Sequence, residues 1–147
     1  MIVLRTAKEI DMMRKACQIS AEALQLAGES VKPGITTYEI DQIAYRYIKK
    51  QGAEPNFLNY NGFPATACIS INNEVIHGIP DNKHIIREGD IVSIDLGAVI
   101  NGFHGDTCYT FAVGEVDDLT GASCLHIGVC RRTPSDHPSS TKQNRLQ

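Results

Sequence analysis

Asp95-Leu96-Gly97-Ala98-Val99-Ile100-Asn101-Gly102-Phe103-His104-Gly105-Asp106-Thr107 joins two strongly patterned runs at an Asn-Gly pair. Upstream, Ile91-Val92-Ser93-Ile94-Asp95 is rich in β-branched residues. Downstream, Cys108-Tyr109-Thr110-Phe111-Ala112-Val113 is rich in aromatic and β-branched ones. Asn-Gly is a strong signal for a two-residue hairpin, because both residues of a type I′ turn need positive φ. With Asn101 and Gly102 as the turn, Ile100 falls opposite Phe103 and Asp95 opposite Cys108. Asp106 then shares a face with Asp95. A diagonal pair of this kind stands about 7–8 Å apart, so one cation or a close pair fits between the carboxylates. Burying two acidic groups on an apolar hairpin is costly unless positive charge neutralises them, and an oxygen-ligated divalent metal suits that task. A plainer reading stays open, in which Asp95 ends a strand and Asp106 caps a turn. A one-residue bulge would also send the carboxylates to opposite faces.

The chain of 147 residues is long enough for one domain with a substantial core. With 42% hydrophobic and 21% charged residues it has the composition of an ordinary globular protein. A net charge of −3 gives no reason to expect nucleic acid or an anionic membrane as partner. No apolar run approaches the length of a membrane span, and Met1-Ile2-Val3-Leu4-Arg5 lacks the layout of a signal peptide. Five scattered cysteines without a Cys-x-x-Cys pair read as reduced thiols in a cytoplasmic protein.

Thr6-Ala7-Lys8-Glu9 is a capping box, followed by Ile10, Met13, Cys17, Ala21 and Leu24 at helical spacing. These five are expected to face the core, with the helix ending near Gly28. A second box, Thr36-Thr37-Tyr38-Glu39, opens a helix with Ile40, Ile43, Ala44, Tyr47 and Ile48 inward and Gly52 as its stop. Asn56 to Pro64 is aromatic-rich and irregular. Ala67 to Ile71 alternates like a strand, and Glu74 to Pro80 reads as a short extended piece. Helices followed by strands suit an α+β layer, two helices packed on an antiparallel sheet. Residues 1–120 carry 10 basic and 16 acidic side chains, whereas 121–147 carry 4 basic and 1 acidic. The tail, with Pro134 and Pro138 and no periodicity, is expected to be disordered rather than a second domain.

His77, in Asn73-Glu74-Val75-Ile76-His77-Gly78-Ile79-Pro80, is by itself more often a hydrogen-bonded structural residue than a functional one. Together with Gly89 to Asp95, Gly102 to Thr107, Tyr60-Asn61-Gly62-Phe63-Pro64 and Cys68-Ile69-Ser70-Ile71-Asn72, it resembles the type I methionine aminopeptidases over about 120 residues. The resemblance implies the N-terminal half of a pita-bread fold and an enzyme that removes the initiator methionine from nascent polypeptides. It implies two divalent metal ions (Co, Mn, Fe or Zn), with Asp95 and Asp106 as two of five ligands. His77 matches a catalytic histidine that contacts substrate, while Tyr60, Phe63 and Cys68 match the methionine pocket. Phe57 stands where some members carry cysteine, and His104 is at most a support behind the metal ligands. The implied partners are N-terminal Met peptides, nascent chains and the ribosome, with no nucleic acid and no membrane.

The match ends near Asp118-Leu119-Thr120. His126 and His137 lack the glycine-rich context of the family's ligand histidine, and no glutamate follows Glu115. Residues 1–120 are therefore expected to be part of such a domain and 121–147 an unrelated ending, as a frameshift or altered splice would give. Two ligands of five hold a metal pair poorly, so the chain alone is expected to be inactive. Two other functions stay open: a non-catalytic peptide- or protein-binding fragment of the same fold, and a generic metal-binding α+β domain.

Overall fold

The computed structural model describes residues 4–116. The expectations for 121–147, including the disordered tail, lie outside the described residues. Helix α1 spans Ala7–Glu29 and α2 spans Thr37–Lys50. Both open with the capping boxes legible in the sequence. The Thr6 amide donates to the Glu9 carboxylate at 2.7 Å and the Thr36 amide to Glu39 at 2.8 Å, while each threonine hydroxyl accepts from the glutamate amide. In α2, Ile40, Ala44 and Ile48 are fully buried and Ile43 and Tyr47 partly so, as their spacing requires.

The inward face of α1 differs from the expected one. Ile10, Met13, Cys17 and Ala21 are exposed, and of the five residues expected inside only Leu24 is buried. The helix instead turns Ala16, Ile19, Ser20, Ala23, Ala27 and Gly28 inward. The reason is close approach. A Cβ on Gly105 would lie 2.5 Å from the backbone of Ala16, and one on Gly28 would lie 2.1 Å from the Phe111 ring. Only a face of small residues lets the helix sit that near the sheet, and proximity outweighs side-chain bulk in choosing the buried stripe.

Four strands form the sheet: β1 (Glu54–Pro55), β2 (Ala67–Ile71), β3 (Ile91–Ile100) and β4 (Phe103–Ala112). All pairings are antiparallel, with β4 along one edge of β3 and β1 and β2 following one another along the other. Val92, Ile94, Leu96 and Ala98 of β3 join Ala67 and Ile69 of β2 in the core beneath the helices. Glu74 to Pro80 is not the extended piece its composition suggests. It is a loop, with His77 left-handed at φ 61.

One buried charge joins α2 to the sheet. Asp41 is 3% exposed, and its Oδ1 accepts from the amides of Thr66 and Ala67 at 2.8 and 2.9 Å. Burial raises its carboxyl above the ordinary 3.8, outweighing the two amides that favour the charged form. Its contribution to stability is therefore full below the unfolded value and is lost as pH rises through the folded one. Asp41→Asn, which keeps the acceptor, is expected to gain stability relative to the parent as pH rises through that window, and to match its slope below it. Asp41→Ala is expected to cost about 1–3 kcal/mol for each amide left unpaired. Denaturant unfolding across pH checks both. Gly105→Ala sets a Cβ against helix backbone that cannot rotate away, and is expected to cost about 1–3 kcal/mol or more in the same measurement.

Candidate metal centre and substrate pocket

The hairpin turns at Asn101 and Gly102, with φ of 51° and 78°. From Ile100↔Phe103 outward the register runs unbroken through Asp95↔Cys108 and Gly97↔Asp106 to Ile91↔Ala112, without a bulge. Because alternate residues share a face, Ser93, Asp95 and Gly97 point away from the helices, as do Asp106, Cys108 and Thr110. Cys68 pairs with Asp95 from the other side, so Cys68, Asp95 and Cys108 form one row across three strands. Next to it, the Ser93 and Thr110 hydroxyls hydrogen-bond at 2.7 Å.

Asp95 and Asp106 are thus diagonal neighbours on the face opposite the helices. Burial raises the Asp95 carboxyl, the Asp106 charge raises it further, and His77 opposes both. The Cys68 thiol is pushed up to about 11 by burial and then by the charges of Asp95 and Asp106, and so is held as a neutral thiol. Among the described residues no lysine or arginine forms an ion pair with either carboxylate. Two carboxylates, one half-buried, with no cationic side chain paired to them among the described residues, are oxygen donors of the kind a divalent cation takes, two where such an ion takes six or more ligands.

His77 reaches this face by way of Gly78. The Gly78 carbonyl accepts from the Ile69 amide at 2.9 Å, and the Gly78 amide donates to Ser70 Oγ at 3.1 Å. The loop lies so flat on β2 that a Cβ on Gly78 would stand 2.1 Å from the Ile69 carbonyl oxygen. His77 has a left-handed backbone, which few residue types other than glycine and Asn, Asp or His adopt readily, and it lines the same cleft as Asp95.

His77, Asp95, Cys68, Tyr60, Phe63 and Phe57 all line one cleft of about 540 Å³, which Ile79, Pro64, Asn61 and Gly62 complete. Tyr60–Gly62 forms a single 3-10 turn with left-handed asparagines at Asn59 and Asn61. Those asparagines present the aromatic groups without regular structure. Asp106 is not in the cleft wall but beside it, on the same sheet face as Asp95. His104 lies off the cleft, its Nδ1 2.9 Å from Asn56 Oδ1. Asn56 was not legible in the sequence, since its partners lie 48 and 49 residues away and no local pattern connects them.

Residues 11–126 match the model of metallopeptidase family M24. The chain belongs to that family. It is 48% identical over 118 residues to methionine aminopeptidase 1 of Bacillus subtilis, and 52% identical over 118 residues to methionine aminopeptidase of Clostridium perfringens. Each alignment covers 80% of this chain and 47% of the relative, so the chain spans about half the length of the curated relatives it matches. Among solved structures, the methionine aminopeptidase of Rickettsia prowazekii superposes with a TM-score of 0.81 at 37% identity, covering 85% of this chain and 50% of that one. Prolidase from Pyrococcus furiosus superposes at 0.70 with 28% identity, covering 82% of this chain and 34% of that one. The α+β arrangement is accordingly the M24 pita-bread type. Since proteins named for different peptidase activities share it, the fold does not select a substrate.

The Gly78 docking can be tested directly. Gly78→Ala is expected to lift the loop and speed hydrogen exchange of the Ile69 amide by at least about tenfold, the equivalent of one lost hydrogen bond.

Proposed function

We propose that the chain carries the carboxylate and substrate-pocket portion of a metal-dependent methionine aminopeptidase, acting on N-terminal methionine of nascent chains in the cytoplasm. The observation that supports this best is the shared sheet face of Asp95 and Asp106 beside a cleft lined by His77, Tyr60, Phe63 and Cys68. Asp95 and Asp106 would hold divalent metal, whether Co, Mn, Fe or Zn, since oxygen donors do not choose among them. Such ions, when bound, supply Lewis acidity and a nucleophile at neutral pH.

The protein's own residues do the rest. The aromatic walls from Phe57, Tyr60 and Phe63 would pack against an apolar thioether, and the neutral Cys68 thiol would offer it a polarizable contact. His77, at the mouth beside Asp95, would hydrogen-bond the scissile amide and stabilise charge that develops there. Nascent chains, and with them the ribosome, would be the partners. Among the described residues no helix is long and apolar enough to cross a membrane.

A second reading is favoured by one observation. Among the described residues no group of three or more His, Cys, Asp or Glu side chains could hold a metal ion. Two carboxylates alone bind metal loosely, so residues 1–120 by themselves would bind a methionyl peptide without hydrolysing it.

Two measurements test the proposal. Titration with Mn²⁺ is expected to give binding that is lost in Asp95→Asn/Asp106→Asn, and unchanged binding in that variant would overturn the metal assignment. Met-Ala-Ser is expected to shift the NMR signals of Tyr60, Phe63, Cys68 and His77, with Glu-Ala-Ser leaving them in place. Equal shifts from both peptides would sink the methionine pocket. Hydrolysis of Met-Ala-Ser with added Mn²⁺ or Co²⁺ separates the enzyme from the binding fragment, and turnover that vanishes in Asp106→Ala is expected only of the enzyme.

A further inference from the structure

The stretch of β4 that carries Asp106 is fastened from outside the hairpin by one side chain. Asn56 follows directly on the two-residue strand β1, and its amide donates to the Gly97 carbonyl at 2.9 Å. Its Nδ2 donates to the Gly105 carbonyl at 3.2 Å, and its Oδ1 meets His104 Nδ1 at 2.9 Å. Gly97 is the residue directly opposite Asp106, and a Cβ there would lie 2.7 Å from Asn56 Nδ2. The carboxamide therefore occupies the space a side chain at 97 would fill, and grips both residues preceding Asp106.

The same residue begins the pocket loop, because Phe57 next to it lines the cleft. We propose that Asn56 is a positioning residue, which fixes Asp106 relative to Asp95 through His104 and Gly105 and ties that placement to the Phe57 wall. This rests on the reading of Asp95 and Asp106 as metal ligands. Groups that orient a ligand from behind commonly alter metal affinity by about 10–100-fold when removed. A residue that only filled space would change stability and leave affinity alone.

The test follows Mn²⁺ titrations of the 147-residue chain by paramagnetic broadening of the Asp95 and Asp106 amide signals, with thermal unfolding alongside. Asn56→Ala is expected to weaken apparent Mn²⁺ affinity by about tenfold at a near-parental Tm. His104→Ala removes the same contact from an exposed position that folding tolerates, and is expected to weaken binding in the same direction. The double variant is expected to be no weaker than Asn56→Ala, because the two residues act through one link. Affinities within twofold of the parent in both single variants, or fully additive losses, would overturn the role of Asn56 while leaving the metal site intact. Absence of broadening at Asp95 and Asp106 in the parent chain would remove the metal reading and this proposal together. Should Asn56→Ala unfold, the His104→Ala titration decides the matter alone, with unchanged affinity counting against the link.

Discussion

The ten-pair register between β3 and β4 is the constraint on which the other features depend. Side chains alternate across a strand, so a slip of one position would send Asp95 under the helices and bring Ile94 to the cleft. The register is held at its closed end by two residues at positive φ, and along its length by an apolar face of Val92, Ile94, Leu96 and Ala98. Neither device involves the carboxylates. The hairpin sets two negative charges side by side because the rest of it is stable enough to bear their repulsion. The Asp95 carboxyl is raised by its burial first and by the neighbouring Asp106 charge second.

Elements that announce themselves locally were readable from the sequence. The Asn-Gly turn, both capping boxes and the inward face of α2 depend on residues within a few positions of one another. The cleft was readable only in part. Tyr60, Phe63, Cys68 and His77 were singled out by resemblance to known enzymes, and neither periodicity nor spacing would have gathered them from three separate segments.

What was not legible came from contacts over long sequence distance. The stripe Ile10, Met13 and Cys17 has helical spacing and apolar character, yet faces out, because the sheet selects the side of α1 that approaches nearest. Asp41 gave no sign of burial in its own helix, since its two partners are 25 and 26 residues away. Asn56 is similar. A bend at His77 also escaped a reading based on β-branched neighbours, because the hydrogen bonds of Gly78 to β2 decide the backbone there.

The small-residue face of α1 divides the helix into two sides of unequal tolerance to change. Toward the sheet, Ala16, Ala23, Ala27 and Gly28 leave no room for added volume, so a single methylene has to be absorbed by moving the whole helix. On the outer side, Ile10, Met13 and Leu26 are 43%, 38% and 39% exposed, so among the described residues polar replacements there disturb the packing less than on the inner side. Efforts to raise solubility therefore have more latitude along one flank of this helix than along the other.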